Sequence, residues 1–266
     1  MKNRTILVLI YLFAILLLLV FSFLPGDIQM YRNILALFLP LAIGVGLFLK
    51  KYGTKIPIYE GKGEGAFSCL FFAPILLSIL LISLGTSLVT AFFGLENPLP
   101  EKIPPLEAVV TYALLPAILE EGLYRILPAL ALQEEDERSI AFFSSLIFTF
   151  AHLSLFSMPR ALFGGLAFFF VNRLARSPLP SILLHFLNNL LSVILMYAKH
   201  PTVVFSCTLY ALLGLTLLSL VLLVTVYREQ TKALVDRLRA KKTPFRLSPD
   251  IVAYLVVTMT LTVLFF

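Results

Sequence analysis

Nine apolar stretches of roughly 16 to 28 residues follow one another along this chain, near 5–24, 31–49, 66–93, 107–131, 139–157, 160–174, 179–198, 203–227 and 250–266. A helix rises about 1.5 Å per residue, so about 20 apolar residues cross a hydrocarbon core of about 30 Å. The pattern predicts an all-α, polytopic transmembrane helical bundle of about eight to nine spans. Composition agrees: 59% of the 266 residues are hydrophobic, only 14% are charged, and there are 24 Phe and no Trp, far from the balance of a soluble domain. No stretch is left over for a separate soluble domain. We divide the chain into N-terminal membrane helices (1–106), a central helical core (107–198) and C-terminal helices with a basic loop (199–266).

The formal charge of +6 raises the question of nucleic acid, and the distribution of the charges answers it. With a cytoplasmic N-terminus and nine spans, sixteen of the 21 Lys and Arg fall in inside segments, against Arg32, Lys102, Arg160 and Lys199 outside and Arg125 within the membrane. That asymmetry is what the positive-inside rule expects. The basic residues therefore orient a multi-pass protein in a lipid bilayer, its C-terminus outside, and no nucleic-acid partner is expected. The segment 228–250 alternates Ala233, Leu234 and Leu238 with Lys and Arg, as in a short helix lying on an anionic leaflet. The first stretch reads as a retained anchor, because it is long for a signal peptide and lacks a small-x-small cleavage site. Cys69 and Cys207 both sit in apolar stretches and read as packing residues. The compact chain suggests a bacterial or archaeal cell membrane.

Few ionisable groups lie where they cannot easily reach an interface. They are Glu120, Glu121 and Arg125 in one stretch, His152 in the next, and His185 with Asn189 one turn beyond it in a third. An ionisable side chain at the bilayer centre costs about 2.5 to 3.5 kcal/mol on insertion scales, so each needs a partner and a reason. Glu121 and Arg125 are four apart and stack on one helix face as an ion pair. Glu120 is rotated by about 100° and its i+4 neighbour is Tyr124, so it is the carboxylate left over. A desolvated carboxylate can serve as a general base near neutral pH. Pro116 and Pro128 each remove a backbone donor, freeing the carbonyls of Tyr112 and Tyr124 and loosening the helix on both sides of the glutamates. His185 and Asn189 on one face offer two donors to a developing oxyanion, although such residues also glue membrane helices together.

Taken together, E-E-x-x-x-R at Glu120, Glu121 and Arg125, F-x-x-x-H at Phe148 and His152, and H-x-x-x-N at His185 and Asn189 carry more weight than any one of them. This order on three apolar helices resembles the CPBP family of intramembrane proteases, the CAAX protease and bacteriocin-processing group also called Abi. The resemblance covers about residues 107–198, and departs from many members in having Ile126 where they have glycine. It implies that Glu120 activates water with help from His152, that His185 and Asn189 stabilise the oxyanion, and that Glu121 and Arg125 support the site. The implied substrate is a membrane-associated peptide or a lipidated, prenylated protein.

Two versions of the chemistry follow. Glu120, His152 and His185 compose a set of two histidines and a glutamate, sufficient for a catalytic Zn²⁺ with an open fourth position. The same residues also serve as base and oxyanion donors without metal. Outside the protease class, a proton-coupled transporter and a non-catalytic immunity or assembly factor of the same fold are the other readings. Against the transporter, no second half of the chain repeats the polar set.

Overall fold

A computed structural model describes residues 3–23, 29–93, 103–239 and 249–265. Those residues are about 85% helical, without strands. In order they form α1 (Asn3–Ser22), α2 (Gln29–Tyr52), α3 (Gly65–Cys69) and α4 (Phe72–Phe92). A broken helix follows over α5 (Pro105–Ala108), α6 (Leu115–Glu121) and α7 (Leu127–Ala131). The rest are α8 (Glu137–Ala151), α9 (Met158–Ala175), α10 (Leu179–Tyr197), α11 (Pro201–Thr225), α12 (Arg228–Arg239) and α13 (Pro249–Phe265). The bundle read from the sequence is thus the architecture observed, and all nine apolar stretches contribute helix. Lys2, Lys102, Lys241, Lys242 and Arg246, used in the charge count, lie outside the described residues.

Helix length and composition alone account for fewer spans among the described residues. Five segments are long and apolar enough to cross a membrane, namely Asn3–Phe21, Ile34–Tyr52, Gly65–Phe92, Leu179–Tyr197 and Pro201–Thr225, with Pro249–Val263 shorter. The others fall short for identifiable reasons. The α5–α7 helix is interrupted, α8 has 15 residues rather than the 19 expected, and α9 carries Arg160 and Arg173 near its two ends. Bundle helices held by neighbours need not be full-length spans, because the neighbours cover what lipid does not. The polar connection after α11 does hold a helix, the 12-residue α12.

The main core joins the first and last helices to the centre. Tyr11 of α1 stacks on Tyr124 and meets the edge of Tyr254 of α13. Both hydroxyls are satisfied, Tyr11 donating to the Leu123 carbonyl at 3.2 Å and Tyr254 to the Ile147 carbonyl at 3.1 Å, so neither costs a buried donor. On the far side, α11 exposes Leu217, Val221 and Val224 by 57–68%, which suits a lipid-facing helix. Cys69 and Cys207 are free and exposed. They are not core packing residues as the sequence suggested, because an apolar helix in lipid does not have to face protein.

One end of the bundle gathers the polar connections. There Arg4 pairs with Glu135 and Arg173 with Glu137. Lys51 donates to Asn3 Oδ1 at 2.7 Å, and Arg176 to the Ile58 carbonyl at 3.1 Å. The 53–64 connection is docked closely onto the end of α9. Glu64 N–H donates to the Leu174 carbonyl at 2.9 Å, and a Cβ on Gly63 would stand 1.9 Å from the Ala175 carbonyl oxygen, an approach open only to glycine. These are segments that the charge count had assigned to a single side.

From this end α8 sets out and α9 returns. Asp136 caps α8, its Oδ1 accepting from the Arg138 and Ser139 backbone N–H groups at 3.1 and 3.0 Å. The Ser139 hydroxyl, desolvation notwithstanding, and these two N–H groups hold the Asp136 carboxyl below its ordinary value. Because the folded value is the lower one, the cap's contribution is complete above the unfolded carboxyl pKa of about 3.9 and is lost as pH falls through the folded value. Asp136→Ala is expected to cost about 1 kcal/mol at pH 7. Thermal unfolding of both proteins in detergent checks this: the gap between them should shrink below about pH 4, and a gap independent of pH would exclude the carboxylate cap.

Candidate active site

The helix that carries the two glutamates is not simply loosened by its prolines. It widens instead into two π-helical segments, Val109–Leu114 and Gly122–Ile126, each just ahead of a proline. Pro116 and Pro128 have no N–H for the carbonyls of Tyr112 and Tyr124, and their rings would crowd those oxygens. The turns before them therefore open by one residue, with Leu115 N–H donating to Val110 O and Leu127 N–H to Gly122 O. Such turns cluster at functional sites, and here they flank Glu120 and Glu121.

Glu121 and Arg125 are both wholly buried, with Arg125 Nε 3.7 Å from Glu121 Oε2. The expected ion pair is therefore present, but it is too long for a hydrogen bond. Among the described residues no guanidinium nitrogen of Arg125 has a hydrogen-bond partner. The cation is held instead by the carboxylate's charge and by the Phe148 ring, whose centroid lies 4.4 Å from Arg125 Cζ, a cation–π contact strengthened by exclusion of water. Phe148 thus has a function beyond marking the motif. It packs Arg125 on its face and meets the rings of His152 and His185 edge-on at 4.7 and 6.0 Å.

His185 stands between the two glutamates. Its Nδ1 donates to Glu121 Oε1 at 3.1 Å, and its Nε2 lies 3.6 Å from Glu120 Oε2. The histidine nearest Glu120 is therefore His185, whereas the sequence reading paired Glu120 with His152. Glu120 remains the freer carboxylate, with a side chain 21% exposed against 0% for Glu121.

His152 closes the end of α8, which stops at Ala151 rather than near 157 because Leu153 takes a left-handed φ of 48°. A leucine in that region is strained, and such strain concentrates at functional sites. His152 Nδ1 lies 2.8 Å from the Phe148 carbonyl. A carbonyl only accepts, so Nδ1 carries the proton, and the neutral ring keeps its lone pair on Nε2. Asn189 Oδ1 accepts from Asn188 Nδ2 at 3.2 Å, which leaves the Asn189 amide N–H groups free.

His152, His185 and Asn189 share the wall of one cavity of about 120 Å³, together with Phe148, Asn188 and Arg160. That volume admits several waters. Asn188 and Arg160 lie outside the three motifs, and the sequence reads Arg160 only as an external charge. The signal for Arg160 was its place in the first turn of the apolar stretch that follows His152. Asn172 holds helices together: its Nδ2 donates to Ser181 Oγ at 2.7 Å and its Oδ1 accepts from Ser181 N–H at 3.0 Å, joining α9 to α10.

The proposed zinc ligands do not converge. Among the described residues no three of His, Cys, Asp and Glu form a set able to hold a metal ion. His152 commits Nδ1 to a backbone carbonyl and keeps Nε2 open, while His185 Nδ1 faces Glu121 and its Nε2 faces Glu120.

A polytopic helical bundle with several long apolar helices, here holding a carboxylate–histidine–amide cluster beside a small cavity, is of the class of integral membrane proteins. Residues 102–191 match the family model described as type II CAAX prenyl endopeptidase, Rce1-like. The resemblance to CAAX-type proteases read from the three motifs is thereby shown, and the activity it indicates is that of an intramembrane protease. No curated protein and no solved structure matches the chain.

Proposed function

We propose that this protein is an intramembrane endopeptidase that hydrolyses a peptide bond of a membrane-associated, CAAX-type substrate, prenylated or otherwise lipidated, without a metal ion. The observation that carries the reading is the shared cavity. On its wall His152 has its lone pair at Nε2 and Asn189 its amide donors free, beside His185, which is itself 3.6 Å from Glu120.

Glu120, assisted by His152 Nε2, takes a proton from water as the oxygen bonds the scissile carbonyl carbon. The carbonyl oxygen becomes an oxyanion, to which Asn189 N–H donates, with His185 Nε2–H as a second donor when both ring nitrogens carry protons. Collapse of this intermediate breaks the C–N bond, and the proton returns to the departing amine. Glu121, held by Arg125, fixes the His185 ring through Nδ1, the positioning that a buried carboxylate gives a working histidine. A cytoplasmic N-terminus, in a bacterial or archaeal membrane, goes with this proposal on the charge distribution.

The test is cleavage of a quenched peptide library by the purified, reconstituted protein. Asn189→Ala should lower kcat by about 10²–10³, the usual cost of one oxyanion donor, and orthophenanthroline should leave cleavage intact. Equal rates in mutant and wild type would remove Asn189 from the site. Loss with chelator, reversed by added Zn²⁺, would overturn the metal-free assignment.

A further inference from the structure

Arg160 is the one charged cavity residue that neither the motifs nor the mechanism uses. It is the third residue of α9, half-buried, and lines the cavity with His152, His185 and Asn189. The other buried or half-buried arginines are engaged. Arg4 and Arg173 pair with carboxylates, Arg125 with Glu121 and the Phe148 ring, and Arg176 with the Ile58 carbonyl. Arg160 has no ion pair, hydrogen bond or ring contact among the described residues. Among the described residues, the carboxylates of the site, Glu120 and Glu121, are both directed toward His185.

A guanidinium held in a partly desolvated wall with no counter-charge is an unfinished interaction. Its planar fork matches a carboxylate bidentately. The first turn of an 18-residue helix adds the positive end of the helix dipole. The apolar wall opposite, Ile79 and Phe168, keeps water from screening the pair.

We propose that Arg160 binds a carboxylate of the peptide substrate and sets the scissile bond beside His152 and Asn189, making it a specificity-determining residue. The inference rests on the peptidase reading. Two sources supply this chemistry, the free C-terminus of a peptide cut close to its end, or an Asp or Glu side chain near the cut.

Binding decides the matter independently of cleavage. Labelled peptides identical but for a C-terminal acid or amide, and a third with the amide and one Glu near the terminus, are titrated by fluorescence anisotropy into reconstituted Glu120→Gln protein. The same titrations are made with Arg160→Gln and Arg160→Lys added to that background. A charged hydrogen-bond pair predicts that one carboxylate-bearing peptide binds about ten-fold or more tightly than the plain amide. Preference for the acid identifies the C-terminus, and preference for the Glu peptide identifies a side chain. Arg160→Gln should abolish that preference, and Arg160→Lys should retain part of it. In otherwise wild-type protein, Arg160→Gln should raise KM more than it lowers kcat. Equal binding of all three peptides overturns the proposal even if the protein cleaves them, and so does a preference that survives in Arg160→Gln. Cleavage that persists in the Glu120→Gln background would count against the Glu120 mechanism while leaving the Arg160 result to stand or fall by itself.

Discussion

Glu120→Gln is expected to lower peptide cleavage by about 10²–10⁴, the range a positioned general base contributes, while the protein folds and binds peptide as before. The substitution keeps the shape of the side chain and removes only its ability to take a proton. Its surroundings tolerate the change, because among the described residues the Glu120 side chain makes only a 3.6 Å approach to His185, too long for a hydrogen bond, and is 21% exposed. Structural damage should therefore be slight and the kinetic effect should fall on kcat rather than KM. Single-turnover cleavage with thermal unfolding as a control makes the measurement. Wild-type rates in a folded mutant would remove Glu120 from the chemistry.

The neighbouring glutamate should behave in the opposite way. Glu121→Ala leaves the Arg125 cation wholly buried with only a ring to face. Breaking such a pair from one side costs about 3–5 kcal/mol, because the remaining charge loses its compensation. The expected result is a protein that unfolds at markedly lower temperature in detergent. Glu121→Leu combined with Arg125→Met removes both charges and should recover most of that loss, since a buried pair is often replaceable by apolar side chains. Activity should not return with stability, because His185 Nδ1 then lacks the acceptor that orients it. If the double mutant were no more stable than Glu121→Ala alone, the pair would not be the unit that holds this helix.

Much of this arrangement was legible because a membrane imposes few rules, and the chain obeys them visibly. Long apolar stretches announce helices, and ionisable groups inside them announce a site. The i,i+4 relation of Glu121 and Arg125 held, as did the separate standing of Glu120. Four features were not legible, for reasons that are geometric. The π-helical turns follow from Pro116 and Pro128, but proline alone does not say whether a helix will kink or widen. The position of His185 between the glutamates depends on how α10 meets α6, which is tertiary packing. Arg160 was hidden by its own charge, since a basic residue next to a turn is ordinarily taken for topology. The end of α8 was misjudged because an apolar run continues past His152, while the left-handed Leu153 that stops the helix has no glycine to signal it.

The α8–α9 hairpin ties substrate supply to orientation. Both helices have their charged ends in the cluster of Arg4, Glu135, Glu137, Arg173 and Arg176, and they turn between His152 and Arg160. At 15 residues, α8 carries His152 about 22 Å from that cluster, toward the opposite face of the bilayer. The basic cluster and the cavity therefore lie toward opposite ends of this hairpin. If the protein cleaves peptides as proposed, the lysines and arginines that set the hairpin's orientation also set the side from which a peptide reaches the cavity.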